Sequence, residues 1–183
     1  RLRLGVEMGG GDASTRDGMV ADIEEMDRIV GQFLEFARGD EFAAVDTVDV
    51  NDVVGNVVAR YHAAGKDIAF VAGNAPPLAL RVTALSRLLS NLIDNAFAYG
   101  AAPVAIATRA EGNVVVIDVM DRGPGVAPGE AARMKQPFTR SAPSRSRSDG
   151  AAGAGLGLAI VERVARLHGG SFDLLPREGG GTI

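Results

Sequence analysis

Apolar residues Met19, Ile23, Met26, Val30, Phe33 and Ala37 recur at alternating intervals of four and three, with Asp22, Glu24, Glu25, Asp27 and Arg28 off the line. This is a heptad seam. It is narrower than the apolar face of a helix that packs on its own globular domain. The spacing predicts a helical hairpin that pairs with a second copy of itself in a bundle. A helix packed on its own domain is the alternative. Gly9-Gly10-Gly11-Asp12 breaks the chain before the seam, and Gly39-Asp40 ends the helix. Residues 43–47 read as a linker, so the pattern divides the chain into a hairpin portion, 1–42, and a second domain, 43–183.

The second portion alternates between the two periods. Residues 48–50 read as a short strand. Asn51 or Asp52 can cap a helix running to about residue 64, with Val53, Val54, Val57, Val58 and Tyr61 on its inner side. Strands are predicted at 68–71 and 78–80, with a turn at Asn74-Ala75-Pro76-Pro77 between them. Thr83 is the expected cap of a helix reaching residue 98, with Leu85, Leu88, Leu89, Leu92, Ile93, Ala96 and Phe97 inward. Residues 104–108 and 114–120 read as strands joined through Glu111-Gly112-Asn113, a hairpin signal. A further helix is predicted over 161–167, then strands at 171–175 and 182–183 with a turn at 178–181. Helices on one face of a mixed sheet, an α+β layer, is the economical packing. Residues 141–150, Ser-Ala-Pro-Ser-Arg-Ser-Arg-Ser-Asp-Gly, carry no apolar periodicity and read as a loop placed to act as a lid.

Composition narrows the class. The chain has 183 residues, 46% hydrophobic, which excludes a disordered polymer. A net charge of −4 argues against nucleic acid as a partner. The absence of cysteine excludes disulfides and thiolate metal sites. No apolar run is long enough to cross a bilayer. The chain opens mid-pattern at Arg1-Leu2-Arg3-Leu4 and closes at Gly181-Thr182-Ile183 in what looks like the start of a strand, so it is expected to be part of something longer.

Three segments carry candidate chemistry. Gly153-Ala154-Gly155-Leu156-Gly157 runs into the predicted helix. Glycine lets a backbone approach a ligand closely, and the N–H groups of a helix start suit a phosphate. A structural glycine turn fits the same residues. Asn91 and Asn95 lie one helical turn apart, so their amides share a face. An amide oxygen is a suitable hard ligand for Mg²⁺, which takes its other oxygens from water and phosphate; an exposed polar helix face is the bland reading. Asp121 follows a strand and precedes Gly123 and Gly125. Its carboxylate can accept from an exocyclic amine beside a flat ring, or the segment is a plain Asp-Gly-Pro-Gly turn.

The order Asn91…Asn95, Asp121-x-Gly123-x-Gly125, Gln136-Pro137-Phe138-Thr139-Arg140, Gly153-x-Gly155-x-Gly157 and Gly179-Gly180-Gly181-Thr182 resembles the N, G1, F, G2 and G3 boxes of sensor histidine kinases. These kinases belong to the gyrase, Hsp90, histidine kinase and MutL superfamily. Asp22-Ile23-Glu24-Glu25-Met26, Gln32-Phe33-Leu34-Glu35-Phe36 and Asn95-Ala96-Phe97-Ala98-Tyr99-Gly100 resemble the osmosensor-type kinases most. The resemblance implies a two-layer α/β sandwich of the Bergerat type, preceded by a partial hairpin of a dimeric four-helix bundle. It implies ATP and Mg²⁺ as cofactors. Asn95 would coordinate the metal with Asn91 in support, and Arg140 would join them as a catalytic residue. Asp121 would bind the adenine amino group, with Gly123 and Gly125 admitting the base and Thr182 lining its pocket. Gly153, Gly155, Leu156 and Gly157 would form the phosphate loop, Phe138 would tether the lid and Tyr99 would pack near the nucleotide. The implied partners are a second copy through the hairpin and the receiver domain of a response regulator. The implied location is the cytoplasmic portion of an inner-membrane receptor, with membrane contact only through segments outside this chain.

Two departures shape the expected function. Gyrase-like relatives carry a water-activating Glu where Asn91 stands, and an amide cannot take a proton at neutral pH. ATP is therefore expected to be held for transfer, with little hydrolysis; a hydrolysing clamp and a non-catalytic nucleotide-binding module are the rival readings, and an anti-sigma-type Ser/Thr kinase is a third. The expected phosphoacceptor is also missing. Only His62 and His168 exist, neither on the hairpin, and the resemblance places the acceptor about two helical turns before Arg1. The chain alone is not expected to label itself.

Overall fold

A computed structural model describes residues 18–20, 23, 26, 30–31, 43–127, 129–139 and 155–183. Met19, Ile23, Met26 and Val30 are helical, so the first four seam positions share helical geometry; Phe33 and Ala37 lie outside the described residues. Met19, Met26 and Val30 are exposed.

The second portion contains five strands and four helices among its described residues: β1 (Asp46–Val48), α1 (Val50–Ala63), β2 (Ile68–Val71), β3 (Leu78–Leu80), α2 (Val82–Tyr99), β4 (Val104–Glu111), β5 (Val114–Met120), α3 (Ala131–Met134) and α4 (Gly157–Leu167). They form two sheets. β1 pairs antiparallel with β3, and β2 runs parallel to β4, which pairs antiparallel with β5. The parallel register sets Ile68 against Val104 and Phe70 against Ile106. Those residues turn toward α1 and α2, as the period of a strand requires. The core joins Val50, Val53, Val54, Val57 and Val58 of α1 to Leu85, Leu89 and Ile93 of α2 and to Ile68, Val104 and Ile106 of the sheet. A second cluster, Ala84, Leu156, Ile160 and Val164, packs α4 against α2. The predicted layer of helices on one face is therefore present. No described helix is long and apolar enough to cross a membrane.

Several boundaries differ from the sequence expectation, each for a physical reason. The first strand is Asp46–Val48, and Val50 already begins α1, because Asp49 caps it by accepting the Asn51 N–H at 2.8 Å. Asn51 does not cap. Its side chain enters a closed cycle: Nδ2 donates to the Gly73 carbonyl at 3.1 Å, the Gly73 N–H donates to Thr108 Oγ1 at 2.9 Å, and the Thr108 hydroxyl donates to Asn51 Oδ1 at 2.6 Å. Thr108 is buried, so its hydroxyl must find its partners inside the protein. Asn51→Ala would strand the Gly73 carbonyl and the Thr108 hydroxyl, an expected loss of about 1–3 kcal/mol. Urea unfolding measures it; an unchanged midpoint would show that the cycle contributes nothing.

α2 starts at Val82, with no side-chain cap at Arg81. The Arg81 N–H donates instead to Nε2 of His168 at 3.0 Å, while His168 Nδ1 donates to the Val164 carbonyl at 2.9 Å. Thr83 therefore plays no capping part. The predicted strands near the end reduce to a narrow hairpin. Leu175 and Ile183 exchange backbone hydrogen bonds at 2.9 Å, and Pro176 bridges Thr182.

Tyr61 fastens α1 to α2. Its hydroxyl donates to Asp94 Oδ1 at 2.7 Å and its ring stacks on Phe97, the centroids 6.1 Å apart. Burial first, then the hydrogen bond to the Asp94 carboxylate, raises the phenol above its usual range. Asp94, though between the two asparagines in sequence, is thus turned away from them.

Candidate functional site

α2 presents Asn91 and Asn95 on one side while Leu89, Ile93 and Ala96 are buried on another. Asn91 Nδ2 donates to the Arg87 carbonyl one turn back at 2.9 Å, which leaves its Oδ1 free to face outward. Both amides look onto Gly157. A Cβ there would lie 3.2 Å from Asn91 Oδ1 and 3.5 Å from Asn95 Nδ2. Glycine lets the helix start approach the two amides this closely without displacing them.

Gly157 is also the first residue of α4, four positions earlier than the predicted start. Leu156 precedes it and gives no side-chain cap hydrogen bond. Among the described residues the N-terminal N–H groups of α4 have no side-chain cap, and the positive end of the helix dipole sits across from two amides. The Leu156 side chain is fully buried against Ala84, Ile160 and Val164.

Gly155 has φ +70 and its carbonyl accepts the Phe138 N–H at 2.9 Å. A Cβ on Gly155 would lie 2.8 Å from the Thr139 oxygen. The segments on either side of residues 140–154 are thus joined at their base. That contact runs through the Phe138 backbone, and the Phe138 ring is exposed. Arg140 and Gly153 lie outside the described residues. Lys135 holds the preceding turn. Its ammonium group donates to the Phe172 carbonyl, lies 4.9 Å over the Phe172 ring, and stands 3.4 Å from Glu162 of α4 and 3.3 Å from Asp173.

Asp121 directly follows β5 and is 8% exposed. Its Oδ1 accepts the Gly123 N–H at 2.6 Å and its backbone N–H donates to the Thr182 carbonyl at 3.1 Å. Glycines crowd it. A Cβ on Gly100 would lie 2.6 Å from Asp121 Cγ, one on Gly123 would lie 2.6 Å from Gly100 Cα, and one on Gly181 would overlap the Asp121 carbonyl. Gly125, at φ +75, leaves 3.0 Å between such a Cβ and the Gly181 oxygen. Thr182 is partly buried, and Tyr99, one turn beyond Asn95, is exposed. The structure therefore brings Asn91, Asn95 and Gly157 together, and separately Asp121, Gly123, Gly125 and Thr182. Gly100 and Arg177 belong with the second set, and sequence reading gave neither a role. The guanidinium Nη1 of Arg177 donates to the Asp121 carbonyl at 3.0 Å.

Among the described residues no group of three or more His, Asp or Glu side chains could hold a metal ion. Two amide oxygens are too few for a protein-only cage. They do fit a hard cation that brings most of its oxygens from phosphate and water.

Residues 81–183 match the family described as histidine kinase-, DNA gyrase B-, and HSP90-like ATPase. The chain is 34% identical over 173 residues to the sensor-like histidine kinase SenX3 of Mycolicibacterium smegmatis, covering 90% of this chain and 44% of that protein. The chain thus spans less than half the length of this curated relative. Among solved structures, full-length ShkA in complex with AMPPNP superposes with a TM-score of 0.67 at 27% identity, covering 97% of this chain and 39% of that one. The histidine kinase domain of the E. coli osmosensor EnvZ superposes with a TM-score of 0.57 at 30% identity, covering 75% and 83%.

Proposed function

Because the chain belongs to the histidine kinase-, DNA gyrase B-, and HSP90-like ATPase family, we propose that it is the ATP-binding catalytic region of a sensor histidine kinase, which transfers the γ-phosphoryl group of ATP to a histidine. The observation that carries this reading is the close approach at Gly157, where two asparagine amides lie beside the start of α4. A phosphate at that helix start would lie next to both amides. The N–H groups of α4 donate to its oxygens, and the dipole offsets its charge. Mg²⁺, when bound, would neutralise phosphate charge, held by the Asn95 oxygen with Asn91 beside it. Asp121 receives the adenine amino group, where Gly123 and Gly125 let the neighbouring backbone close in around it. Phosphoryl transfer asks mainly for positioning and charge stabilisation, and these residues supply both.

The acceptor nitrogen attacks the γ-phosphorus, the bond to the β,γ-bridging oxygen breaks, and ADP leaves. A receiver-domain aspartate then takes the phosphoryl group from the histidine. The acceptor belongs to a hairpin in a homodimer, built on residues 1–42 and segments outside this chain. The likeness to sensor kinases supports that arrangement and a cytoplasmic position beneath a membrane receptor. A hydrolysing clamp is the less favoured reading. Asn91 has no basic site, and its amide nitrogen is already committed to the Arg87 carbonyl.

The base assignment gives the direct test. A carboxylate accepts from the adenine amino group but meets a carbonyl in guanine, leaving a buried acceptor unpaired at about 1–3 kcal/mol. ATP is expected to bind more tightly than GTP by roughly one to two powers of ten. Calorimetry on Asp121→Asn should find that preference collapsed. An unchanged ratio would remove Asp121 from the base pocket, and absence of any nucleotide binding by the unaltered chain would overturn the proposed function itself.

A further inference from the structure

We propose that Arg177 is a positioning residue for base selection, acting on the adenine-recognising carboxylate through the main chain of Asp121. This rests on the nucleotide-binding reading above. Arg177 lies outside the glycine-rich motifs, in the narrow hairpin between Leu175 and Ile183, and its backbone closes the turn within it. Its N–H donates to the Gly181 carbonyl at 3.1 Å, and its own carbonyl accepts the Gly180 N–H at 3.0 Å. Gly179, Gly180 and Gly181 all have positive φ in that turn, a path that residues with side chains rarely follow. From this fixed base the side chain reaches back to donate from Nη1 to the Asp121 carbonyl at 3.0 Å.

The Asp121 peptide is then held on every side but one. Its N–H is taken by Thr182, its carbonyl by Arg177, and one carboxylate oxygen by Gly123. Gly100 and Gly181 lie so close that a Cβ on either would displace it. The other carboxylate oxygen, Oδ2, has no hydrogen-bond partner among the described residues and is the one available to a base. Gly123 N–H alone would allow the carboxylate to swing with its backbone. The Thr182 and Arg177 bonds prevent that by fixing the peptide on both sides of the Cα atom. A charged donor to a carbonyl is stronger than a neutral one, so Arg177 is the larger restraint on the carbonyl side. Arg122 crosses in the opposite direction, donating to the Glu178 carbonyl at 2.6 Å, and keeps the hairpin against the Asp121 segment when Arg177 is altered.

The test is calorimetric titration of the 183-residue chain with ATP and with GTP, in Mg²⁺, for the unaltered protein, Arg177→Met and Arg177→Lys. Met keeps an apolar arm and removes the donor. Arg177→Met is expected to reduce the ATP-to-GTP affinity ratio by about fivefold, the scale of one lost hydrogen bond. Arg177→Lys keeps one cationic donor and should recover most of the ratio. A purely structural role would weaken both nucleotides equally and leave the ratio intact, and that result overturns the proposal. So does an Arg177→Lys ratio as low as that of Arg177→Met. Should Arg177→Met fail to fold, Arg177→Gln, whose shorter arm ends before the Asp121 carbonyl, is read in the same way. Failure of the unaltered chain to prefer ATP would instead strike the Asp121 assignment itself, which separates the two outcomes.

Discussion

Asn95→Ala is expected to weaken Mg·ATP binding by about two powers of ten, close to 3 kcal/mol, while metal-free ADP binds nearly as before. The difference follows from what the amide touches. Asn95 Nδ2 would stand 3.5 Å from a Cβ on Gly157, beside the start of α4 where phosphates would bind. It is far in sequence from Asp121 and the glycines around it, which would hold the base. Losing the amide removes an oxygen from the shell of a metal that is bound only with the triphosphate. The described residues offer no carboxylate cluster to replace it. Asn91→Ala should cost less, because the Asn91 amide nitrogen serves the helix backbone and only its oxygen is free. Isothermal titration with Mg·ATP and with ADP in a chelator measures both. Equal losses for the two nucleotides at Asn95→Ala would show that the amide acts on helix stability rather than on a metal.

Local pattern went far where a contact is local. Of the five buried residues of α2, Leu85, Leu89, Ile93 and Ala96 lie on the predicted side, and Ala84, packed against α4, is not among the predicted residues. The turn at Gly112-Asn113 joins β4 to β5 in the register that its hairpin signal implies. The start of α4 was hidden for a physical reason. Glycine is a poor helix former, so the apolar period alone begins at Val161, whereas packing of Leu156 and Ile160 on α2 carries the helix back to Gly157. That shift matters to the site, because it places the helix start against the asparagines. Asn51 misled in another way. Its residue type suits a cap, yet its partners are Gly73 and Thr108, remote in sequence. The single mixed sheet was expected because strand period carries no pairing information; the chain divides its strands between two sheets. Gly100 and Arg177 carry no local mark at all. Their meaning lies in what a Cβ or a guanidinium meets across the fold.

The chain by itself is expected to bind ATP and to take up no phosphoryl label. Its two histidines are both engaged. His168 uses both ring nitrogens, so phosphorylation at Nε2 would break the bond that joins α2 to α4, and phosphorylation at Nδ1 would break the bond to Val164 within α4. Nε2 of His62 donates to the Ile68 carbonyl at 2.8 Å, at the end of α1 and away from Gly157. Supplied with a longer chain whose hairpin includes an acceptor histidine, the same ATP-binding region should label that partner. This requires the bundle to assemble through Met19, Ile23, Met26 and Val30, and three of these are exposed apolar side chains that a partner helix would cover. Placing Asp at both Ile23 and Val30 would bury unpaired charge in the seam, at a cost of several kcal/mol. Labelling in trans should then disappear while ATP affinity stays within about twofold, because the site lies on α2, at the start of α4 and in the segment after β5. Radiolabelled ATP, followed by acid treatment, distinguishes the cases. Acid-labile label on the chain alone would make His62 or His168 an acceptor. Undiminished labelling in trans by the doubly charged variant would show that the seam is not the assembly surface.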